Sequence, residues 1–171
     1  FCLMVRRPPR PTPCPYTTMF RSHQISDQGS RIIPFDRVSI SIIDAEAGTS
    51  YISYIAGLNV KHRQSGIVIP FEGSLAGRVV ESHAPVIIQD FSRDQIAEEI
   101  PACLPGYDSG IRSLLGVPLV HADVFVAVLQ FRSRIDGVYE HRHTVLAQRV
   151  GDQIAGAIAN SLLNDEPPQA A

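Results

Sequence analysis

The sequence predicts an α+β sandwich, an antiparallel sheet with helices laid over its faces. Three observations carry that prediction. Two pairs of strand-like runs are each joined by a short turn, which makes hairpins and therefore antiparallel pairing. A four-residue apolar repeat near the end of the chain makes a long helix. Shorter helical stretches lie between the two hairpins, so helices must cover the sheet on more than one side.

Taken in order, residues 1–22 show no packing pattern. "RRPPRPTPCPYTTMFRS" has five prolines and no acidic residue, and such a stretch cannot bury enough apolar surface to offset its ordering entropy. It is expected to be a disordered arm or a non-native segment, since it resembles a translated sequencing adaptor of the "PYTTLFRS" kind. Next comes "ISDQGSRIIPFDRVSI", whose helix-compatible start is ended by Pro34. "RVSISIID" (37–44) alternates, with Val38, Ile40 and Ile42 on one face and Ser39 and Ser41 on the other. That is the period of a half-buried strand. "AEAGTS" is a turn in which Gly48 supplies positive φ, and "YISYIAG" (51–57) is the returning strand.

Residues 58–66 are a polar loop, and "IVIP" (67–70) is a short apolar run. "SLAGRVVESH" (74–83) is a helix, with Leu75 and Val79, and Ala76 and Val80, at i, i+4 spacing. Ser74 is placed to cap it, and Gly77 to let it lie close to a neighbouring backbone. "PVIIQD" (85–90) is a strand. "SRDQIAEEI" (92–100) is a helix opened by a capping box, Ser92 with Gln95 three residues on. "IRSLLGVPLVH" (111–121) and "VFVAVLQFRS" (124–133) form the second hairpin about a tight Ala122–Asp123 turn. Pro118 marks an edge or bulge in its first strand. From Tyr139 to Leu163, Leu146, Val150, Ile154, Ile158 and Leu162 recur every four residues. Ala155, Gly156, Ala157 and Ala159 make that helix small-sided, as if for the close approach of another helix. The folded domain is thus expected over 23–163, with a polar tail over 164–171.

Composition excludes several functions. The chain's 171 residues, 44% hydrophobic and 19% charged, suit one soluble domain. No apolar run approaches the ~20 residues of a membrane helix. "FCLMV" is too short for a signal-peptide core and has its arginines after it, so a cytoplasmic location and no membrane partner are expected. Of three cysteines only Cys103 lies in the body, too few for a disulfide framework or a zinc site. Taking Arg6, Arg7, Arg10 and Arg21 from the 15 basic residues leaves 11 against 17 acids, a body at −6. That balance argues against a nucleic-acid partner.

The stretch "FEGSLAGRVVESHAPVIIQD" (71–90) holds the residues most suggestive of chemistry. A phosphate loop needs Gly-x4-Gly-Lys-Ser/Thr, but here Arg78 follows Gly77 at the wrong spacing. A dinucleotide fingerprint is absent. A nucleophile elbow needs its serine central between two glycines, whereas Ser74 adjoins the first. No catalytic residue is therefore assigned. A helix start beside a pocket is the better reading, and its positive end would favour an anionic or carbonyl-bearing ligand if it opened on a cavity.

The blocks "PFDRVSISIID", "GSLAGRVVESHAPVIIQD", "GIRSLLGVPLV" and "HTVLAQRVGDQIAGAIANSLL" resemble, in order and spacing, the GAF domain of bacterial signalling proteins such as sensor histidine kinases and diguanylate cyclases. The resemblance runs from about residue 25 to 163. It implies a PAS-related fold with a central six-stranded antiparallel sheet, terminal helices on one face, and a pocket under loops and helices on the other. It also implies a small-molecule ligand, a homodimer, and a downstream kinase or cyclase output domain in the full-length protein.

On that resemblance the pocket is expected under residues 58–74 and 91–110, over strands 85–90 and 111–118. Ser74, Asp90, Tyr107, Arg112 and Ser113 are its candidate ligand-binding residues. Asp90 reads equally as a strand end bonding its own loop, Arg112 as a structural clamp on Asp90, and Ser113 as a backbone partner. Ile154, Ala157, Ile158 and Leu162 are the candidate dimer positions. The cyclic-nucleotide signature does not continue after Asn59 and Lys61, and Cys103 is followed by Leu104, unlike a bilin-attachment cysteine. No cofactor is identified, and no metal site either. His141 and His143 do not converge on one metal, so only His62, in the candidate lid, would be tested for haem or metal. Two alternatives stand beside a non-catalytic sensor. One is a redox enzyme using Cys103, in the manner of methionine-sulfoxide reductases. The other is a ligand-free domain serving only as a dimerisation module.

Overall fold

A computed structural model of the chain describes residues 32–164. The expected arm over 1–22, the helix-compatible residues up to 31 and the tail from 165 onward lie outside them. Six strands, β1 (Arg37–Asp44), β2 (Thr49–Gly57), β3 (Val68–Pro70), β4 (Val86–Ile88), β5 (Ser113–His121) and β6 (Val124–Ser133), form one antiparallel sheet. Their order is β3-β2-β1-β6-β5-β4. The expected strand at 85–90 is real but shorter at both ends, and that at 111–121 is shorter at its start.

Both hairpins form as their turn chemistry demands. After β1, Gly48 takes φ +64°, and the Asp44 carboxylate accepts the Ala47 N–H at 2.9 Å. Between β5 and β6 the two turn residues Ala122 and Asp123 have φ +48° and +63°. Left-handed geometry at both positions matches the twist of the flanking strands. Pro118 sits beyond the reach of β4, which pairs only with Leu114–Gly116, and one residue before a register shift at Leu119/Val120. Its missing N–H therefore costs the ladder no bond.

Among the described residues four helices cover the sheet: α1 (Leu75–Ser82), α2 (Arg93–Glu99), the five-residue α3 (Leu104–Asp108) and the long α4 (His141–Asn164), with a 3-10 turn at Pro101–Cys103 before α3. Alternation along the strands splits the interior in two. On one face Ile40, Ile42, Leu115, Val117, Leu119, Ala127, Leu129 and Phe131 pack against α4. On the other, Leu114 and Val128 pack with Leu75, Val79, Ile88, Ile96 and Ile100 from α1, β4 and α2. Full burial of each such aliphatic side chain is worth about 1.5–3 kcal/mol. The result is three layers, α4, sheet, and α1–α3 with their loops.

Two expectations change here. β1 is not half-buried: Ser39 and Ser41 are as buried as Ile40 and Ile42, because the second layer covers the polar face too. And three of the four small residues of α4 are taken up by its own sheet, while Ala157 is exposed. Ala155 and Ala159 belong to the core against the sheet, and Gly156 lies against the ring of His121. They let α4 lie close on its own β5. Among the described residues, no helix is long and apolar enough to cross a membrane.

Candidate functional site

The inner face of the sheet, opposite α4, is apolar at its β4–β5 edge and polar at its centre. β1 and β6 pair so that Arg37 faces Arg132, Ser39 faces Gln130, and Ser41 faces Val128. All six alternate away from the α4 side. Arg37, Ser39, Ser41, Gln130 and Arg132 are buried. Gln130 donates Nε2–H to Ser41 Oγ at 2.9 Å and accepts from Arg132 at 2.6 Å. A fold needs no polar column in the middle of a covered sheet, and burying one costs free energy wherever a partner is missing.

The loop over this column is held by arginine. Arg37 donates to the carbonyl of Leu58 at 2.6 Å and to that of Arg63. Arg63 in turn reaches the Ala102 carbonyl through Nη2 at 2.7 Å and Nε at 3.3 Å. Val60, fully buried, anchors the same loop. Desolvation holds Arg37 down to about 10, with Arg132 and Arg63 adding like-charge repulsion. Arg132 is lowered as well, mainly by burial. Sequence reasoning missed Arg37, Ser39, Ser41, Gln130 and Arg132. The signal was present as alternation, but a polar strand face looks like a solvent face until something is known to cover it.

The five expected pocket residues are not brought together. Tyr107 and Arg112 do meet: the guanidinium lies 4.0 Å above the Tyr107 ring and donates to the Tyr107 and Ile111 carbonyls at 2.8 Å. With Cys103, Ile88, Ile96, Ile111 and Leu114 they line a void of about 10 Å³, room for about one water. The expected floor at 85–90 and 111–118 is thus largely filled by side chains. Arg112 does not clamp Asp90. Asp90 is exposed, at φ +59°, and its N–H donates to Asp136 at 3.0 Å. Ser113 alternates with Leu115 and so falls on the α4 side of the sheet. It is fully buried, and among the described residues its hydroxyl has no partner.

Ser74 is committed to the backbone. Its hydroxyl accepts the Gly77 N–H at 3.0 Å and donates to the Phe71 carbonyl at 2.9 Å. That is the capping role read from the sequence. Gly77 makes the expected close approach, since a Cβ there would stand 2.0 Å from the Phe71 oxygen. The start of α1 opens on a surface cleft lined by Glu72, Glu81, Glu99 and Arg78, with Arg78 paired to Glu99 at 2.8 Å. Its acidic rim opposes the anion that the helix end would otherwise favour.

The histidines are placed as follows. His62 is exposed at φ +59° in the lid loop. His143 is buried, and its Nδ1 accepts the Glu140 N–H at 2.9 Å, capping α4. Among the described residues no three metal-ligating side chains cluster. Of the candidate dimer positions, Ala157 is exposed, while Ile154, Ile158 and Leu162 are half-buried against the α4-side core.

The GAF domain family model matches residues 21–158. No curated protein sequence matches the chain. Among solved structures, it is similar to the GAF domain of a two-component sensor histidine kinase from Bacillus halodurans, with 19% identity, 83% of this chain and 93% of that one covered, and a TM-score of 0.64. It is similar to the GAF domain of an Acinetobacter phosphoenolpyruvate-protein phosphotransferase, at 18% identity, 82% and 81% coverage and a TM-score of 0.64. It is also similar to a type II free methionine-R-sulfoxide reductase from Thermoplasma acidophilum, at 14% identity, 84% and 92% coverage and a TM-score of 0.63. Identities this low speak for the fold alone. The family model, spanning most of the chain and every strand of the sheet, is what decides kinship: this protein belongs to the GAF family.

Proposed function

We propose that this chain is a non-catalytic, cytoplasmic small-molecule-sensing domain within a larger signal-transduction protein. GAF domains commonly serve as sensory or regulatory modules, and one structural neighbour belongs to a sensor histidine kinase. The observation that carries the reading is the buried polar column Ser39, Ser41, Gln130 and Arg132 beneath the 58–66 loop. Those groups supply donors and acceptors in a desolvated place, as small-molecule sites do. Arginine–carbonyl bonds to Leu58 and Arg63 hold the loop over the arginines, beside the buried Val60. Opening it exchanges those bonds for water or ligand, so a ligand would bias one of two loop arrangements. Homodimerisation through the half-buried edge of α4, at Ile154, Ile158 and Leu162, would carry the change to a kinase or cyclase output domain.

The test is chemical-shift mapping of the ¹⁵N-labelled chain against a cell metabolite extract. The sensor reading expects perturbed amides in β1, β6 and the 58–66 loop. Perturbation confined to the surface cleft at Glu72, Glu81 and Glu99, or none, would contradict it.

A second reading rests on Cys103, which is buried, lines the void beside Tyr107 and Arg112, and lies within electrostatic reach of Arg132. A redox enzyme would use that thiol. Iodoacetamide labelling combined with a methionine-sulfoxide reduction assay separates the two: turnover that is lost on labelling would favour the enzyme.

A further inference from the structure

Arg37 and Arg132 stand directly opposite each other on neighbouring antiparallel strands. Like charges so placed repel, and here both side chains are out of water, 1% and 9% exposed. Arg63 joins them from the loop, its carbonyl bonded to Arg37 and its own charge felt by both. Three guanidiniums thus act on one another here, that of Arg63 bonded to the Ala102 and His62 carbonyls. Among the described residues none of them pairs with a carboxylate. The nearest acid in sequence, Asp36, is committed elsewhere: it pairs with Arg134 at 3.4 Å and accepts the Arg134 N–H at 2.7 Å. Backbone carbonyls and Gln130 Oε1 take up some of the guanidinium N–H groups but supply no full negative charge. Arg37 Nε is buried with no partner at all among the described residues.

A cluster of this kind is costly in a low dielectric unless an anion completes it. Guanidinium forks match oxyanions in geometry, two parallel N–H···O bonds to one carboxylate or phosphate. The concentration of buried positive charge also runs against a domain whose acids outnumber its bases. We propose that Arg37, Arg63 and Arg132 form an oxyanion site, and that the ligand of this domain carries a carboxylate or phosphate group bound between β1, β6 and the 58–66 loop. This inference rests on the sensory reading and names the chemical class of its ligand. The anion takes N–H bonds now held by the Leu58 and Arg63 carbonyls, so binding and loop release are one event.

The experiment is thermal unfolding of the full chain in KCl against inorganic phosphate and against succinate, at matched ionic strength. A binding anion raises Tm saturably; which of the two does so tells phosphate from carboxylate. The rise is expected to vanish in Arg132→Met and to persist in Arg149→Gln, an exposed position on α4. Should Arg132→Met fail to fold, Arg63→Gln, on the loop and outside the sheet, takes its place. No rise above KCl with either anion overturns the proposal, as does a rise that survives Arg132→Met or Arg63→Gln. A neutral molecule found on the protein by native mass spectrometry, with no anion effect, overturns the oxyanion site while leaving the sensory reading standing. Neither a bound molecule nor an anion effect overturns both.

Discussion

Arg37, on the first strand of the sheet, donates a hydrogen bond to the carbonyl of Arg63, whose own side chain donates to the carbonyl of Ala102. Two arginines in series therefore tie strand to loop and loop to the 3-10 turn before α3. Removing Arg37 leaves the Leu58 and Arg63 carbonyls without these donors. Arg37→Met is expected to cost about 2 kcal/mol of stability, the scale for losing charged-donor bonds at a partly buried site. Amide exchange should speed up in 58–66 and stay unchanged in β5. Urea unfolding and hydrogen exchange check the two halves.

Gly77 tests the approach of α1 to the preceding loop. A methyl group at 2.0 Å from the Phe71 oxygen meets backbone, not a side chain that can swing away. Gly77→Ala should destabilise by about 1–3 kcal/mol despite its better helix propensity, because overpacking against a fixed carbonyl outweighs it. A more stable variant in urea would contradict the packing.

Ser74→Ala removes the cap on Gly77 and the bond to the Phe71 carbonyl. A loss of about 1 kcal/mol is expected, with ligand stoichiometry unchanged, since both the donor and the acceptor of this hydroxyl are spent on Phe71 and Gly77. Loss of ligand with little loss of stability would return Ser74 to the binding site.

Asp108 pairs with Arg93 at 2.9 Å, linking α3 to α2. The hydrogen bond from Arg93, more than their charge attraction, holds its carboxyl below the usual Asp range. A carboxylate depressed in the folded state contributes stability above its unfolded pKa and loses it as pH falls through the folded one. The clamp is therefore complete at neutral pH and fades only in acid, below the ordinary Asp value. Carbon-detected NMR titration should show the depressed value, and Arg93→Gln should bring it back up. An unshifted Asp108 in the wild type would deny the pair.

Ala157→Glu places a charge on the exposed side of α4, beside the half-buried Ile154 and Ile158. If α4 mediates a homodimer, sedimentation velocity should show this variant as a monomer at concentrations where the wild type is dimeric. An unchanged sedimentation coefficient would remove α4 from any dimer interface.

Much of the fold was legible because local chemistry and global fold agree. "RVSISIID" gave a strand from its period of two, "SRDQ" a helix start from its capping box, and Gly77 a close contact from its lack of a side chain. Both ends of the capping box are made in the structure, Gln95 Oε1 accepting the Ser92 N–H at 2.8 Å. What was not legible is what lies over each face. Alternation separates Ser39 from Ile40 but does not say that a loop will cover the serine. Hence Arg37 and Arg132 drew no notice in the sequence, and Ala155 and Ala159, which belong to the core under α4, looked the same as the exposed Ala157. Ser113 is a different case. Counting back two from Leu115 puts it on the face of Leu115 from the sequence alone, opposite to Leu114.

The most direct measurement is native mass spectrometry of the full chain purified from cells, compared with Gln130→Leu, which removes the central polar group of the inner face. A sensory domain predicts a single small-molecule adduct on the wild type that Gln130→Leu fails to retain. A wild type that stays bare even after incubation with cell extract, or an adduct held equally by Gln130→Leu, would contradict a ligand site on the polar face between β1 and β6.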